Sequence, residues 1–258
     1  MTRIGAHLND EDPVAAAQAI GAEAVQFFVG DPQGWQAPTF PGGDADALRD
    51  AFAAAGVDAY VHSYYTINVA SPNNRIRIPS RKLLDQQLKA AAKIGAKGLI
   101  VHGGYVTAGT DPAEGYDSWR KAVERIDRPV PMLIENTASG DGAMARGFDA
   151  LARLWEAVAG TDERNVGFCL DTCHAFAAGD ELSGIVDRVK AITGRIDLIH
   201  GNNSRDEFGS GRDRHAPLES GTIDPAELVD VIRSAGATAV CETPDPGADL
   251  RWLRTQLD

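Results

Sequence analysis

Eight short, mostly apolar segments recur along the chain, and each is followed by a longer segment in which apolar residues repeat at helical spacing. Several are continuous apolar runs, such as Gly98-Leu99-Ile100-Val101, which is typical of strands buried on both faces of a parallel sheet. We predict strands at Arg3–Leu8, Ala24–Val29, Ala59–Tyr64, Gly98–His102, Met132–Asn136, Val166–Asp171, Leu198–Gly201 and Ala239–Glu242. Eight strand–helix pairs in 258 residues predict an α/β fold, a single-domain (β/α)8 or TIM barrel over residues 1–258.

Signals for helix ends support this alternation. Asp224 before Pro225 is typical of an N-cap followed by proline at the first helical position. Gly56, Gly95 and Gly236 each close a helical segment shortly before a strand. A doubly wound open sheet is the competing fold, but no glycine fingerprint follows the first strand to favour it.

The formal net charge of −12 argues against a protein that coats nucleic acid non-specifically, because such binding depends on lysine and arginine. It does not exclude a DNA enzyme, since bound divalent cations reverse the local sign of the charge. One basic run, residues 73–82, predicts either a local basic rim or a solvated loop that leads into a helix.

The cysteine count and the hydropathy pattern bear on the compartment. Three cysteines are too few, and odd in number, for a disulfide framework. No apolar run approaches the roughly 20 residues of a membrane helix, and no signal-peptide pattern precedes the first strand. We therefore expect a reduced, cytoplasmic protein without a membrane association, and nothing predicts an oligomer rather than a monomer.

Chemistry-bearing side chains stand at the ends of six consecutive predicted strands, the third to the eighth. These residues are His62, His102, Glu135, Asp171, His200 and Glu242, and His174, Asp213 and His215 follow shortly after strand ends. Active sites of TIM barrels lie at the carboxyl ends of the strands, so we expect these side chains at one face. A single histidine there is usually a structural residue, but six strands that all end in this way are not explained by packing alone.

Metal binding accounts for this cluster, because buried carboxylates are strongly unfavourable unless they are paired or bound to metal. Imidazole and carboxylate without thiolate suit Zn²⁺, with Mn²⁺ or Fe²⁺ as substitutes. Nine ligands exceed the need of one tetrahedral ion and would serve two or three ions if one carboxylate bridges. Cys169 and Cys173 are interpreted as small apolar core residues, and the sixth histidine, His7, either approaches the site or satisfies a core hydrogen bond.

At these positions the sequence resembles the endonuclease IV family of abasic-site endonucleases, and the likeness extends over nearly the whole chain. The segments that carry it are Val61-His62-Ser63-Tyr64-Tyr65-Thr66-Ile67-Asn68, Ile100-Val101-His102-Gly103-Gly104, Ile134-Glu135-Asn136-Thr137-Ala138, Cys169-Leu170-Asp171-Thr172-Cys173-His174-Ala175-Phe176, His200-Gly201-Asn202-Asn203-Ser204, Asp213-Arg214-His215 and Cys241-Glu242-Thr243-Pro244.

The resemblance implies three zinc ions. The first would be held by His62, His102 and Glu135, and the third by His174, Asp213 and His215. Glu135 would bridge to the second ion, completed by Asp171, His200 and Glu242, and would be the catalytic carboxylate. The implied substrate is double-stranded DNA that contains abasic sites. The implied reaction is incision 5′ to the lesion during base excision repair, leaving a 3′-hydroxyl and a 5′-deoxyribose phosphate, and relatives also trim 3′ ends.

The family also inserts loop side chains into the duplex, and the resemblance implies DNA contacts by Asp31, Gln33 and Tyr65. The sequence departs from the family pattern at several neighbouring positions. Gln33 stands where some members have arginine, Ser63-Tyr64 replaces Ala-Pro, Thr66 replaces leucine, and Asn203 replaces a common aspartate. These departures affect expectations about DNA affinity more than expectations about metal binding.

Two other functions compete with this one. Sugar isomerases and epimerases of xylose isomerase-like barrels also gather carboxylates and histidines at strand ends, but they have no evident use for the set His174, Asp213 and His215. A non-catalytic DNA-damage binder with structural metal is the second. It is disfavoured because a structural zinc site normally has four protein ligands, whereas the first and third proposed ions have three.

Overall fold

The computed structural model describes residues 2–158 and 165–257, in which eight parallel strands close into a barrel, as the sequence predicts. Residue 1, residues 159–164 and residue 258 lie outside the described residues, and the single domain over residues 1–258 stays a prediction. The barrel strands are β1 (Ile4–His7), β2 (Ala24–Phe27), β3 (Asp58–His62), β4 (Gly98–His102), β5 (Met132–Glu135), β6 (Val166–Asp171), β7 (Leu198–His200) and β10 (Thr238–Cys241). Their order around the barrel is β1-β10-β7-β6-β5-β4-β3-β2.

The strands β4 and β6 have the predicted bounds, whereas several others end one or two residues earlier than predicted. For example, β7 ends at His200, the last residue in register with Asp171 on one side and Val240 on the other. Beyond such a residue the chain leaves the ladder and turns into a loop. The residues that were predicted as the last strand residues therefore begin the loops over the barrel mouth.

Helices surround the barrel and follow the strands in the chain. They are α1 (Pro13–Ala19), α2 (Ala45–Ala55), α3 (Asn74–Lys93), α4 (Pro112–Val123), α5 (Gly147–Val158), α6 (Thr172–Ala178), α7 (Ile185–Thr193), α8 (Pro225–Ala235) and α9 (Pro246–Leu257). The side chain of Asp224 accepts a hydrogen bond from the backbone N–H of Ala226, which confirms the predicted N-cap. Gly56 and Gly236 end α2 and α8 with φ of 65° and 68°, a conformation that glycine adopts without strain.

The basic run is helical, so its interpretation as a loop is wrong for residues 74–82. Asn73 is the N-cap of α3 and accepts a hydrogen bond from the N–H of Arg75. The helix thus begins before Pro79, at a residue that apolar periodicity alone did not mark. Among the described residues, the helices lack the combination of length and apolar composition that crossing a membrane requires.

Two apolar layers organise the interior. The larger layer lies between the outer side of the strands and the helices. The smaller one fills the barrel and consists of Ala24, Tyr60, Ile100, Leu133, Cys169, Leu198 and Val240. Because side chains alternate along a strand, the residue two positions later points to the same side. That rule places seven residues directly above this inner apolar layer, at the carboxyl end of the barrel: Gln26, His62, His102, Glu135, Asp171, His200 and Glu242.

A short antiparallel hairpin, absent from the prediction, lies over the barrel mouth. It pairs β8 (Asn203–Ser204) with β9 (His215–Ala216) and encloses residues 205–214. The fully buried amide of Asn203 anchors it: Nδ2 donates to the carbonyls of Leu218 and Ile223, at 2.8 and 3.0 Å. Its Oδ1 accepts from the N–H groups of Ser204 and Ile223, at 2.7 and 2.9 Å. Asn203 is therefore a structural residue of the hairpin.

Replacing Asn203 by alanine should destabilise the hairpin, because four buried backbone groups lose their partner. Since an unsatisfied buried group costs about 1–3 kcal/mol, we expect the free energy of unfolding to fall by at least about 2 kcal/mol. Urea unfolding of the metal-free protein measures this change. Asn74→Ala is the control, because Asn74 is exposed and its side chain bonds the side chain of Arg77 rather than buried backbone groups. Equal stability of the two variants would contradict the anchoring role.

Candidate metal centre

Three side chains from neighbouring strands form the first part of the site. His62, His102 and Glu135 end β3, β4 and β5. The Nε2 atoms of His62 and His102 lie 3.4 and 3.2 Å from the Oε2 atom of Glu135. These three residues therefore face a common point and could hold one metal ion.

The second part shares Glu135 and continues around the barrel. Nδ1 of His200 lies 2.8 Å from Oε1 of Glu135, 3.5 Å from Oε2 of Glu242 and 3.8 Å from Oδ2 of Asp171. The four residues each offer a ligand atom within 4.8 Å of the others. The two oxygens of Glu135 thus face different groups, as the prediction of a bridging carboxylate requires.

The third part lies at the hairpin. Asp213 approaches His174 with Oδ2 and His215 with Oδ1, at 3.1 and 3.0 Å from the respective Nε2 atoms. His174 lies in α6, which follows β6 directly, whereas Asp213 and His215 come from the loop and strand of the hairpin. The loop is held by Asp206, whose carboxylate forms ion pairs with Arg212 and Arg214 on both sides of Asp213.

The orientation of the imidazoles fits metal ligands. One ring nitrogen donates to a carbonyl oxygen in four of the five rings: His62 to Ser63, His174 to Asn136, His215 to Glu242, and His200 to the side chain of Gln26. The other nitrogen of each ring faces a carboxylate oxygen, with room between the two for either a proton or a metal ion. A hydrogen bond from one ring nitrogen to a carbonyl is the usual support of metal-bound histidines.

The surroundings of Glu135 are the second observation that supports metal binding. Its Oε2 atom is buried without a hydrogen-bond donor, although it faces two imidazole nitrogens. Burial alone raises the pKa of Glu135, but the charges of His200 and His102 hold the pKa well below its usual range. Burial lowers the pKa of His215, but Asp213 and Asp171 raise it to about 11. The cluster therefore favours ionised carboxylates with a neighbouring positive charge, which metal ions supply in place of protons.

Two cysteines, Cys169 and Cys173, lie near the cluster. Burial raises the pKa of Cys169 to about 12, so this side chain stays a thiol at neutral pH. Cys173 is fully buried as well and lies near Asp213 and His215. Both belong to the packed interior, which agrees with their interpretation as core residues.

Two amides that the sequence pattern does not mark, those of Gln26 and Asn202, support the cluster. Gln26, on β2, accepts from His200 Nε2 and donates to Oε1 of Glu242, at 2.8 and 2.7 Å. Asn202 donates to Oδ2 of Asp171 at 2.7 Å and accepts from the backbone N–H of Glu242 at 2.8 Å. The only available signal for Gln26 was a polar residue inside an apolar strand. His7 also lies against the cluster, since Gln26 donates to its Nδ1 atom at 2.8 Å.

The loop after β2 lies beside the cluster and carries two of the predicted DNA contacts. Asp31 accepts from the N–H of Gln33 at 3.0 Å and so shapes the turn that exposes Gln33. Two bonds tie this loop to the residues after β3: Tyr65 N–H donates to Pro32, and the Thr66 hydroxyl donates to Gly34 at 2.8 Å. In addition, the buried hydroxyl of Tyr64 donates to Val29 at 2.5 Å.

Tyr65 itself is half exposed at the edge of the cluster. Its ring centroid lies 5.6 Å from that of His62 and 5.9 Å from that of His102. Burial, together with the charges of Glu242 and Glu135, raises the pKa of Tyr65 to about 12. Tyr65 therefore keeps its proton at neutral pH, and its hydroxyl is available to donate a hydrogen bond.

Comparison with known proteins identifies the family. The family model described as a xylose isomerase-like TIM barrel matches residues 14–257. A protein of Mycobacterium tuberculosis (strain ATCC 25177 / H37Ra) named "Probable endonuclease 4" is 55% identical over 253 residues, which cover 97% of each chain. The chain belongs to the endonuclease IV family. It is accordingly a nuclease, an enzyme of the hydrolase class.

Solved structures agree with this assignment. The crystal structure of endonuclease IV from Thermus thermophilus superposes with a TM-score of 0.84 at 30% identity, covering 99% of this chain and 98% of the other. A D-tagatose 3-epimerase-like protein also superposes, with a TM-score of 0.81 at 17% identity over 99% of this chain and 97% of the other. The second likeness concerns the fold alone, so membership of the endonuclease IV family rests on the sequence relatives.

Replacing Gln26 by leucine should weaken metal binding without disturbing the barrel. His200 would lose the acceptor that fixes its tautomer, and the loss of such an acceptor typically lowers metal affinity about 10- to 100-fold. Titration of zinc against a chelator of known affinity measures this change. Gln87→Leu is the matched control, because Gln87 is equally buried and contacts Tyr64 rather than the cluster. Equal zinc affinity in the two variants would contradict the role of Gln26.

Proposed function

We propose that the chain is a DNA-repair endonuclease that hydrolyses the phosphodiester 5′ to abasic sites in double-stranded DNA. The bond that breaks joins phosphorus to the 3′ oxygen of the preceding nucleotide, and the products are a 3′-hydroxyl and a 5′-deoxyribose phosphate. The reaction belongs to base excision repair, and the same chemistry would trim blocked 3′ ends. The supporting observation is the convergence of nine histidines and carboxylates at one barrel mouth in a chain of the endonuclease IV family.

Three zinc ions are the proposed cofactors, with Mn²⁺ or Fe²⁺ as substitutes. His62, His102 and Glu135 would hold the first. Glu135, Asp171, His200 and Glu242 would hold the second, and His174, Asp213 and His215 the third. Bound zinc would lower the pKa of water towards about 7 and would neutralise charge on the reacting phosphate.

The side chains of the protein position the reactants. Glu135 stays ionised at neutral pH, so it can accept a hydrogen bond from the attacking water and direct the lone pair of that water at phosphorus. Tyr65 keeps its proton and stands at the edge of the cluster, where it can donate to a phosphate oxygen. We assign catalysis to Glu135 and DNA contact to Tyr65.

Recognition of the lesion is assigned to the loop after β2. An abasic nucleotide is flipped out of a duplex at lower cost than an intact one, because it forms no base pair. Gln33, exposed on the turn shaped by Asp31, would enter the space left by the missing base. A monomeric state and a cytoplasmic location remain predictions.

Cleavage of a synthetic duplex that carries one abasic analogue tests the proposed function. We expect a single incision 5′ to the lesion that is lost after chelation and restored by zinc. Glu135→Gln should lower the single-turnover rate about 10²- to 10⁴-fold, because it removes a charged group next to the reacting atoms. Glu114→Gln, on the exposed first turn of α4, is the matched control.

The outcomes separate the rival functions. Binding of abasic DNA without incision by protein verified to hold metal would favour the silent binder. Failure both to bind and to cut DNA would favour a sugar substrate. Full activity of Glu135→Gln with bound metal would overturn the proposed catalytic carboxylate.

Thr66→Val should weaken the binding of abasic DNA by releasing the loop after β2. The valine has nearly the same shape but no hydroxyl to donate to Gly34, and a lost hydrogen bond of about 1 kcal/mol corresponds to roughly a fivefold higher Kd. Fluorescence anisotropy with a labelled duplex measures this. Thr66→Ser keeps the donor and should bind as the wild type does. A serine variant as weak as the valine variant would contradict the hydrogen-bond explanation.

A further inference from the structure

A groove of about 660 Å³ lies beside the loop after β2, against the first half of α3. Its lining includes Trp35 from the loop and Arg75, Ile78 and Lys82 from the helix. Trp35 and Ile78 are exposed apolar side chains, 46% and 60% accessible, and Arg75 and Lys82 are exposed cations. We call these four residues the α3 groove surface.

Helical spacing places the three helix residues on one face. Positions i, i+3 and i+7 of an α-helix share a face, which is the spacing of Arg75, Ile78 and Lys82. At 1.5 Å per residue, the two cations are separated by roughly 10 Å along the axis. That distance equals the rise of about three base pairs at 3.4 Å each, so both cations can contact phosphates of one DNA strand.

Carboxylates do not neutralise this surface. Within residues 2–158 and 165–257, the side chains of Arg75 and Lys82 form neither an ion pair nor a hydrogen bond. The neighbouring cation Arg77 binds Ser71 and Asn74, and Arg81 binds the carbonyl of Ser118. Asp85, the first carboxylate of the helix, is paired with Lys89 at 2.8 Å.

Arg81, the chain neighbour of Lys82, lies close to further cations. Burial lowers the pKa of Arg81, and the charges of Arg77 and Arg125 lower it further, whereas the charge of Asp117 raises it. In a chain of net charge −12, the unpaired cations Arg75 and Lys82 are a local positive feature that an anionic partner would neutralise.

The α3 groove surface is continuous with the candidate site. Tyr65 lies against His102, the neighbouring Thr66 donates to Gly34, and Gly34 adjoins Trp35 at the edge of the groove. A strand held at the cluster can therefore continue over the loop towards the first turns of α3.

We propose that the α3 groove surface binds the phosphate backbone of the DNA duplex flanking the lesion, with Arg75 and Lys82 each contacting a phosphate. The proposal rests on the proposed function. Trp35 and Ile78 lie among the cations and pack against deoxyribose, the apolar part of the backbone. Contacts of this kind bind without reading the base sequence, so they hold damaged and undamaged duplex alike.

The salt dependence of DNA binding tests the proposal. Each phosphate contact contributes about 0.9 to the slope of log K against log salt, so Arg75→Ala and Lys82→Ala should each reduce the slope by about 1 and the double variant by about 2. At 0.1 M salt, each loss corresponds to roughly an eightfold higher Kd. We expect the same increase in Kd for abasic and intact duplex. In cleavage assays, the variants should need a higher DNA concentration to reach half the maximal rate.

Lys93→Ala is the matched control, because Lys93 is an exposed cation in the last turn of the same helix, at the opposite end of the barrel. Its slope should equal that of the wild type. A double variant with the slope of Lys93→Ala would overturn the proposal and leave the groove to an acidic protein segment or a second copy of the chain. An effect confined to abasic duplex would overturn it too, since backbone contacts do not sense the lesion.

A second measurement places the surface beside the lesion. The duplex flank on one side of the lesion is shortened one base pair at a time. The difference in slope of log K against log salt between the double variant and Lys93→Ala should disappear at one flank length. A difference that persists whichever flank is shortened would overturn the placement. If the wild type binds duplex with the larger slope but does not incise it, the proposed function fails and the surface stands. If the wild type incises the abasic duplex but the variants bind with the slope of the wild type, the proposed function stands and the α3 groove surface does not bind DNA.

Discussion

The carboxylate of Glu135 is fully buried at the mouth of the barrel, and a buried charge is tolerated only where opposite charge and hydrogen-bond donors compensate it. Four imidazoles face its two oxygens, those of His62, His102, His174 and His200. Each of these rings needs a hydrogen bond at one nitrogen so that the other nitrogen faces Glu135. The hydrogen bonds of Gln26, Ser63 and Asn136 supply it for three of them. The arrangement of the barrel mouth thus follows from the need to keep one carboxylate ionised inside the protein.

The barrel makes this concentration of charge feasible by separating it from the apolar interior. Seven apolar side chains fill the space below, and a polar residue follows each of them two positions later along the chain. The hairpin of β8 and β9 closes part of the mouth from above and brings Asp213 to His174 and His215. Three different structural elements therefore contribute to the candidate site: strand ends, the first turn of α6, and a loop fixed by Asp206 and Asn203.

The strands and the residues at their ends could be predicted from the sequence. Buried parallel strands are continuous apolar runs, and the side chains at their ends come directly after these runs. The eight strands and the convergence of His62, His102, Glu135, Asp171, His200 and Glu242 were predictable for that reason. The hairpin was not, because β8 and β9 are two residues each and carry no periodic pattern. Gln26 was missed because hydrogen bonds between residues 174 positions apart leave no local signal. The start of α3 was missed because its first turns are largely exposed and interrupted by Pro79, so the apolar period begins only at Leu83.

The two-residue alternation has a consequence for how such a barrel can change over time. Insertion or deletion of one residue within a strand would turn the polar end residue outward and bring an apolar neighbour into the mouth. Substitution at a strand end alters the chemistry and leaves the register intact. On this scaffold a substitution at a strand end or a length change in a connecting loop leaves the strand register unchanged, whereas a one-residue length change within a strand does not.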